Sequence, residues 1–288
     1  MPFTLSHAAA VLPALRRDGG GRARLVPSVL VMGSFAPDMP YYAANVLPGG
    51  MEFGEVTHSF AGVAGVDVLI SWALVGAWLL AREPLVALLP LSRQGRPAAL
   101  LRCGAPHARV RAASVLRWYL SAVLGALTHV VWDAFTHHDR WGSRLVPALG
   151  RILAGMPLYL WLQYGSSAAG AVVVAVFVLR ALRRMPGGER PGVPVLSVRD
   201  RWWAGAVIGG CAGAGAVQRA GRWWDCCGTT AGVRDLLPTL CFGAGAGLVL
   251  GLLLYAAGVR VWRPAPAPGG PRESAGAVDS GRGRPVAR

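Results

Sequence analysis

Five ionisable side chains occur within eleven positions of one apolar stretch, the segment THVVWDAFTHHD at residues 128–139. They are His129, Asp133, His137, His138 and Asp139. Residues four apart lie on one face of a helix, so the first three would form a single stripe. Imidazole and carboxylate groups together suit zinc or a similar divalent ion, and ionisable residues within a membrane segment indicate function because they are costly there. For HxxxD alone, a solvated or hydrogen-bonded histidine near a helix end stays the competing interpretation.

Three further candidates stand in separate N-terminal motifs. His7 lies in TLSHAAAV, Asp38 in SFAPDMPYY and His58 in VTHSFAGV. The N-terminus lacks the features of a cleaved signal peptide, which are a basic start, a long apolar stretch and a cleavage site of small residues. His7 is therefore expected to stay in the mature chain. The complete set of predicted metal ligands is His7, Asp38, His58, His129, Asp133 and His137.

Other polar residues have weaker claims on chemistry. Asp38, Asp133 or the non-ligating Asp139 could accept a proton, and a hydroxyl or carbonyl at Thr57, Thr128 or Thr136 could orient the histidine that follows it. Asp67 is interpreted as an interhelical hydrogen-bonding group. Gln163 to Ser167 could line a pocket or bond between helices. Solvent exposure is expected for His107, His138 and Asp139.

The elements that position these residues are expected to be membrane helices. Of the 288 residues, 53% are hydrophobic and only 15% charged, a balance that is rare in soluble domains of this length. A span needs about 20 mostly apolar residues. The sequence therefore predicts an all-α, polytopic membrane helical bundle of about five transmembrane helices plus short N-terminal helices, with spans at 61–81, 115–135, 156–180, 202–218 and 236–259. Residues 25–36 are too short to cross and predict a buried or re-entrant helix.

The arginines predict an orientation. Loops 82–117, 183–201 and 260–288 contain seven, five and six arginines, whereas loops 136–155 and 219–235 contain three each. This alternation fits the positive-inside rule with a cytoplasmic C-terminus. The candidate ligands would then lie on the extracytoplasmic face of a bacterial cell membrane, as would residues 1–60, although Arg16, Arg17, Arg22 and Arg24 argue against that placement.

The net charge of +15 does not indicate a nucleic-acid partner, because the arginines are scattered through loops. The predicted organisation is a metal-site domain at 1–180, two C-terminal transmembrane helices at 181–263 and a disordered tail at 264–288. Gly205, Gly209 and Gly213 in one helix, and Gly243, Gly247 and Gly251 in the next, predict close helix packing.

In chain order the candidates form the pattern H…PD…THS…HxxxD. With these motifs the chain resembles the bacterial integral-membrane metal-dependent hydrolases. It resembles more closely an uncharacterised related family whose members begin MPFTLSHAA and continue with GSxAPDxPY, THS, THxxWDxFTH and PLYxxLQYGSS. The matching residues here are 1–9, 33–41, 57–59, 128–137 and 157–167. The resemblance covers roughly residues 1–180.

A more distant resemblance is to the all-helical zinc phospholipase C and single-strand nuclease group. It implies that Asp38, His58, His129 and Asp133 hold one metal and that His7 and Asp133 hold a second. Met1 does not obviously reproduce that group's N-terminal ligand, and no further His-x-x-x-acid follows His137, so a mono- or dinuclear site is expected.

Two functions follow from the sequence. The first is a membrane-bound, zinc-type hydrolase of a phosphoester or other ester, acting on a small-molecule or lipid-linked substrate among membrane lipids by means of metal-activated water. The second is a non-catalytic transporter or assembly factor with a structural or transported metal. Oligomeric state is left open.

Overall fold

The computed structural model describes residues 4–103, 112–188, 192–227 and 233–263. Nearly all of their regular structure is helical, and their single sheet is a two-stranded antiparallel hairpin, so the all-α class is confirmed. The predicted tail at 264–288 and His107 lie outside the described residues. The helices are α1 (Ala8–Val11), α2 (Pro27–Gly33), α3 (Met39–Ala43), α4 (Gly50–Thr57), α5 (Phe60–Ala64), α6 (Val66–Ala87), α7 (Gly95–Arg102), α8 (Ala112–Thr136), α9 (Trp141–Leu145), α10 (Leu158–Arg184), α11 (Val198–Cys227) and α12 (Val233–Trp262); the strands are β1 (Ile152–Leu153) and β2 (Met156–Pro157). Short 3-10 helices cover Thr4–His7, Leu12–Ala14, Ala36–Asp38, Leu91–Arg93 and Pro147–Gly150.

Four helices in the described part of the chain are long and apolar enough to cross a membrane: Val66–Ala87, Ala113–Thr136, Leu158–Arg184 and Leu236–Trp262. They correspond to four of the five predicted spans and are the feature expected of a membrane protein. The fifth, 202–218, lies within the 30-residue helix α11 but does not meet the same criterion. Its many glycines, with Gln218 and Arg219 at its end, lower the hydropathy of this helix.

The first span begins later than the sequence predicts. Residues 61–81 were expected as one helix, but a break at Gly65 separates α5 from α6. The hydroxyl of Ser59 accepts the Gly62 backbone N–H at 3.0 Å and caps α5. His58 therefore lies at the end of α4 and not on the spanning helix.

The bundle has two distinct ends. At the histidine end, α8 finishes at Thr136 and the side chain of Gln163, near the start of α10, contacts His137. At the arginine end, Glu83 near the C-terminus of α6 pairs with Arg82, Arg102 and Arg260. Pro84 has no N–H to bond to Leu80, and the Arg260 guanidinium donates to that carbonyl instead.

The N-terminal segment connects the two ends. From the 3-10 helix Thr4–His7 the chain runs beside α10 until Gly19 packs against Cys103, which follows α7. It returns through α2, which packs on α8, as a buried helix of the kind expected for residues 25–36. The turn that carries Arg16 and Arg17 is therefore at the arginine end, so the expectation that all of residues 1–60 lie on the side of the candidate ligands is wrong for this turn.

The C-terminal helices pair antiparallel through glycine. A Cβ atom on Gly247 would lie 2.0 Å from the Cys211 carbonyl oxygen, and one on Gly243 would lie 2.5 Å from the Gly215 carbonyl oxygen. The predicted ladder in α12 thus packs closely, but its expected counterpart in α11 does not. Gly205, Gly209 and Gly213 have no described atom within 4 Å of an added Cβ, because Gly215, Cys211 and Ile208 form the contact instead.

Candidate metal centre

Helix α8 presents His129 and Asp133 on one face, as their four-residue spacing requires. The His129 Nε2 atom lies 3.5 Å from Asp133 Oδ2. Both side chains are buried, with 0% and 3% of the residue surface exposed. Two members of the candidate metal centre therefore lie on one membrane-length helix.

Asp38 and His58 reach the same point from the N-terminal region. His129 Nε2 lies 3.4 Å from Asp38 Oδ1, and His58 Nε2 lies 3.7 Å from Asp38 Oδ1 and 3.5 Å from Asp133 Oδ2. The hydroxyl of Thr57, the last residue of α4, donates to the Pro37 carbonyl at 2.7 Å and so fixes His58 beside Asp38. The four residues come from three separate segments and meet at one buried position.

The spacing of the four ligand atoms fits a metal ion. One nitrogen or oxygen from each of Asp38, His58, His129 and Asp133 lies within 4.8 Å of all the others. The nitrogen–oxygen separations of 3.4–3.7 Å exceed ordinary hydrogen bonds of about 2.7–3.2 Å. Around an ion with bonds of about 2.0–2.2 Å, adjacent tetrahedral ligands lie roughly 3.3–3.6 Å apart. The group could hold a metal ion.

Unsatisfied polar atoms point to the same conclusion. The buried atoms His129 Nε2, Asp38 Oδ1 and Asp133 Oδ1 have no hydrogen-bond partner among the described residues, and neither ring nitrogen of His7 has one. Buried polar groups without partners cost about 1–3 kcal/mol each, and more when charged. A cation at their centre would satisfy the atoms that face it.

The remote ring nitrogens fix the orientation of both histidine ligands. His129 Nδ1 donates to the Ser34 carbonyl oxygen at 2.7 Å, and His58 Nδ1 donates to the Gly54 carbonyl oxygen at 2.8 Å. A carbonyl oxygen can only accept, so each Nδ1 carries the proton. Each Nε2 faces the centre, and in the neutral ring that metal binding requires its lone pair would be directed at the ion, which is the usual arrangement of metal-binding histidine.

Asp38 is supported by a residue that the sequence did not single out. The Thr4 hydroxyl donates to Asp38 Oδ2 at 2.5 Å and lies 3.0 Å from the Tyr42 hydroxyl. Burial raises the pKa of Asp38, but the charge of a protonated His129 ring, its hydrogen bond and the N-terminal charge together lower the pKa of this carboxyl below its usual range. Asp38 is therefore ionised, as a ligand must be. Thr4 stands in the same motif as His7, which is the signal that could have indicated it.

His7 lies at the other oxygen of Asp133. Its Nε2 is 3.4 Å from Asp133 Oδ1, and its ring stacks on His129 with 3.7 Å between centroids. Burial, followed by the charge of His129, lowers the pKa of His7 from 6.5 to about 3, so the ring is neutral. Asp133 thus directs one oxygen at the four-residue centre and the other at His7.

His137 lies at the edge of the cluster. Its Nδ1 is 3.6 Å from Asp133 Oδ2 but also 3.3 Å from the Asp133 backbone oxygen, and its Nε2 contacts the Gln163 amide at 3.1 Å. Burial lowers the pKa of His137. Its side chain is 25% exposed, more than that of any other of the six predicted ligands.

Several other sequence predictions are resolved by position. His138 and Asp139 are exposed as expected and pair with each other at 2.7 Å, so Asp139 has no described contact with the cluster. The Thr128 hydroxyl bonds within its own helix to Gly125 and orients no histidine. The prediction that Asp67 forms an interhelical hydrogen bond is wrong for the described residues. Both carboxylate oxygens of this buried side chain lack a hydrogen-bond partner among them.

Tyr41 and Arg140 stand beside the cluster. The Tyr41 ring lies 5.6 Å from the His58 ring, and its hydroxyl accepts a hydrogen bond from Arg140 at 3.5 Å. Arg140 forms no ion pair with any described carboxylate. A guanidinium without a described carboxylate partner is therefore linked through Tyr41 to the His58 side of the centre.

A model of the family described as a domain of unknown function, DUF4184, matches residues 1–257. The chain belongs to this family. No curated protein and no solved structure matches it. The DUF4184 match covers every residue of the metal centre and most of α12.

Proposed function

We propose that this DUF4184 protein is a membrane-bound, metal-dependent hydrolase of a phosphoester or other ester. The convergence of Asp38, His58, His129 and Asp133 on one buried point, in a chain with four membrane-length helices, carries the proposal. Zinc is the proposed metal, because a ligand set of two imidazoles and two carboxylates suits it. The resemblance to membrane-bound hydrolases supports the reaction class.

The ligand types favour catalysis over a purely structural role. Structural zinc sites are usually built from cysteine with histidine, whereas catalytic sites use histidine and carboxylate with a position open for water. None of the four ligands here is cysteine. A bound divalent ion would lower the pKa of its water to about 7, and its positive charge would polarise an ester or phosphoryl oxygen.

The chain's own residues have separable roles in this proposal. Asp133 Oδ2 and Asp38 Oδ1 bind the ion, while Asp133 Oδ1 is directed at the neutral ring of His7. That oxygen can accept a proton from water or, with His7, hold a second ion. Asp38 and Asp133 are therefore the proposed catalytic carboxylates, and His7 and His137 are proposed ligands at the edge of the site.

The surroundings favour an anionic substrate with a lipid part. Arg140 and the Tyr41 hydroxyl offer hydrogen-bond donors to a phosphoryl group. Helix α4, which leads into His58, exposes Met51, Phe53 and Val56. Exposed apolar side chains next to membrane spans are typical of segments that lie in the lipid interface. The arginine distribution supports a location of this end on the extracytoplasmic face of the bacterial cell membrane.

A second candidate function rests on the number of ligands. Four protein ligands fill a tetrahedral site, which is the arrangement of structural zinc. A non-catalytic protein, either a transporter or an assembly factor, would need no open position. Metal binding is common to both functions, whereas turnover is not.

The test uses detergent-purified protein and three variants. Metal content is measured by elemental analysis, and turnover with bis(p-nitrophenyl) phosphate and p-nitrophenyl acetate. We expect His129→Ala and Asp133→Asn to lose metal and turnover, and His138→Ala, an exposed histidine of the same segment, to keep both. Full metal content in the two site variants would contradict the proposed metal site. Bound metal without turnover of either ester would favour the non-catalytic function.

A further inference from the structure

The structure contains a cavity of about 620 Å³ that none of the six predicted metal ligands lines. It lies between the N-terminal segment and the C-terminal half of α10. We call it the arginine groove and define it by Leu12 and Arg17 on one side and Val172, Val176, Phe177, Arg180 and Arg184 on the other. We infer that the arginine groove binds an anionic phospholipid. This inference is independent of the proposed hydrolase.

The groove is apolar along most of its length and cationic at one end. Val172, Val176, Arg180 and Arg184 are four residues apart and share one face of α10. From Val172 to Arg184 the helix rises about 18 Å. Phe177 packs with the cluster of Val11, Leu15 and Leu30 and closes the floor. A ligand that fills the groove must have a long apolar part and an anionic head.

Its three arginines are available to such a head. No described carboxylate pairs with Arg17, Arg180 or Arg184. Other arginines at the same end do have a carboxylate partner, because Glu83 pairs with Arg82, Arg102 and Arg260. A guanidinium binds phosphate oxygens through paired hydrogen bonds. Three uncompensated guanidinium groups therefore favour an anionic phosphate over a zwitterionic headgroup.

The apolar wall favours a lipid over a free anion. Val172 and Val173 are 63% and 50% exposed, and they belong to the candidate membrane span Leu158–Arg184. Basic pockets beside membrane helices at the arginine-rich side are places where anionic headgroups bind. A free phosphate ion would leave this wall unused, whereas an acyl chain would cover it.

The experiment compares two lipids with matched acyl chains, phosphatidylglycerol and phosphatidylcholine. Each is titrated into the full-length protein in detergent, and affinity is read from the rise in thermal unfolding temperature and from native mass spectrometry. We expect phosphatidylglycerol to bind at least about tenfold more tightly, since charge-assisted hydrogen bonds discriminate the heads. Glycerol phosphate, the soluble head alone, should bind weakly.

Two variants locate the site. Arg180→Gln with Arg184→Gln should remove the preference for phosphatidylglycerol, whereas the charge-matched pair Arg144→Gln and Arg151→Gln at the histidine end should keep it. Val176→Trp should weaken binding of both lipids, because it fills the groove without changing charge, and it provides a test if the double variant fails to fold.

Four results would overturn the inference. Equal affinity for the two lipids would show that the groove does not recognise an anionic headgroup. Binding of glycerol phosphate as tight as that of the lipid would show that the groove binds a free anion. An equal loss in the Arg144 and Arg151 control would assign the preference to net charge. If the protein shows no lipid preference and Val176→Trp loses self-association, the groove binds a second copy of the chain.

Discussion

The Nδ1 atom of His129 lies 2.7 Å from the carbonyl oxygen of Ser34, a residue 95 positions earlier in the chain. This contact is possible because two glycines let α2 and α8 approach closely. A Cβ on Gly125, one turn before His129, would lie 2.2 Å from the Leu30 carbonyl oxygen, and one on Gly33 would lie 2.6 Å from the Ala122 carbonyl oxygen. The orientation of a metal ligand thus depends on helix packing through residues that have no side chain.

Replacement of Gly125 by alanine should therefore separate α2 from α8. We expect a loss of about 1–3 kcal/mol in stability, as for an overpacked core, and weaker metal binding because His129 loses its acceptor. Gly76→Ala in α6 is the matched control: no described atom lies within 4 Å of its added Cβ, so it should cost nothing. Thermal unfolding and metal content measure both effects, and equal behaviour of the two variants would contradict the explanation.

Thr4 should tune the metal through Asp38. Thr4→Val keeps the side-chain shape but removes the hydroxyl that bonds to Asp38 Oδ2 at 2.5 Å. Loss of such an outer partner typically weakens metal affinity by about 10–100-fold. Competition with a chelating dye would measure the affinity. Thr128→Val, whose hydroxyl bonds only to Gly125 among the described residues, should leave it unchanged; a similar loss in both would refute the role of Thr4.

The sequence predicts the members of the cluster better than their supports. His129 and Asp133 could be paired because helical spacing is a local rule, and the motifs around Asp38 and His58 identified the segments that join them. Thr4, Ser34 and Gly54 could not be assigned, because their contacts depend on how separate segments pack. The Ser34 carbonyl carries no side-chain signal at all.

The helix boundaries fail for a similar reason. Residues 60–87 are almost continuously apolar, so hydropathy alone cannot locate the break at Gly65. The only local indication of the start of α5 is Ser59, a residue type that often caps helices. In α11 the regular spacing of Gly205, Gly209 and Gly213 suggested a contact face, but tertiary packing uses Gly215 and leaves the regular ladder uncovered.

The division of the chain at residue 180 stays a prediction.

Asp67 should destabilise the metal-free protein. Its two carboxylate oxygens are buried without a hydrogen-bond partner in the described structure, which costs about 1–3 kcal/mol or more for a charged group. Asp67→Asn should raise the thermal unfolding temperature and keep the metal content, while Asp139→Asn at an exposed position should change neither. A fall in both quantities for Asp67→Asn would show that this carboxylate has a partner essential to the site.

Cysteine labelling should locate the two ends of the bundle across the membrane. Arg144 is exposed at the histidine end, and Arg96 is exposed in α7 at the arginine end. In a background with the native cysteines replaced by serine, Arg144→Cys should react with a membrane-impermeant maleimide in intact cells, and Arg96→Cys should react only after lysis. Reaction of Arg96→Cys in intact cells would reverse the orientation.

Arg140 should contribute to substrate binding more than to metal binding. Its guanidinium bonds to the Tyr41 hydroxyl and has no described carboxylate partner, so an anionic substrate group would gain charge-assisted hydrogen bonds there. If the protein is a phosphoester hydrolase, Arg140→Gln should raise KM about tenfold or more with metal content unchanged, whereas Arg144→Gln should not. A neutral ester should show little change, because its recognition does not need the charge. Loss of metal in Arg140→Gln, or an equal effect on both esters, would place this arginine in the structure of the site and not in substrate recognition.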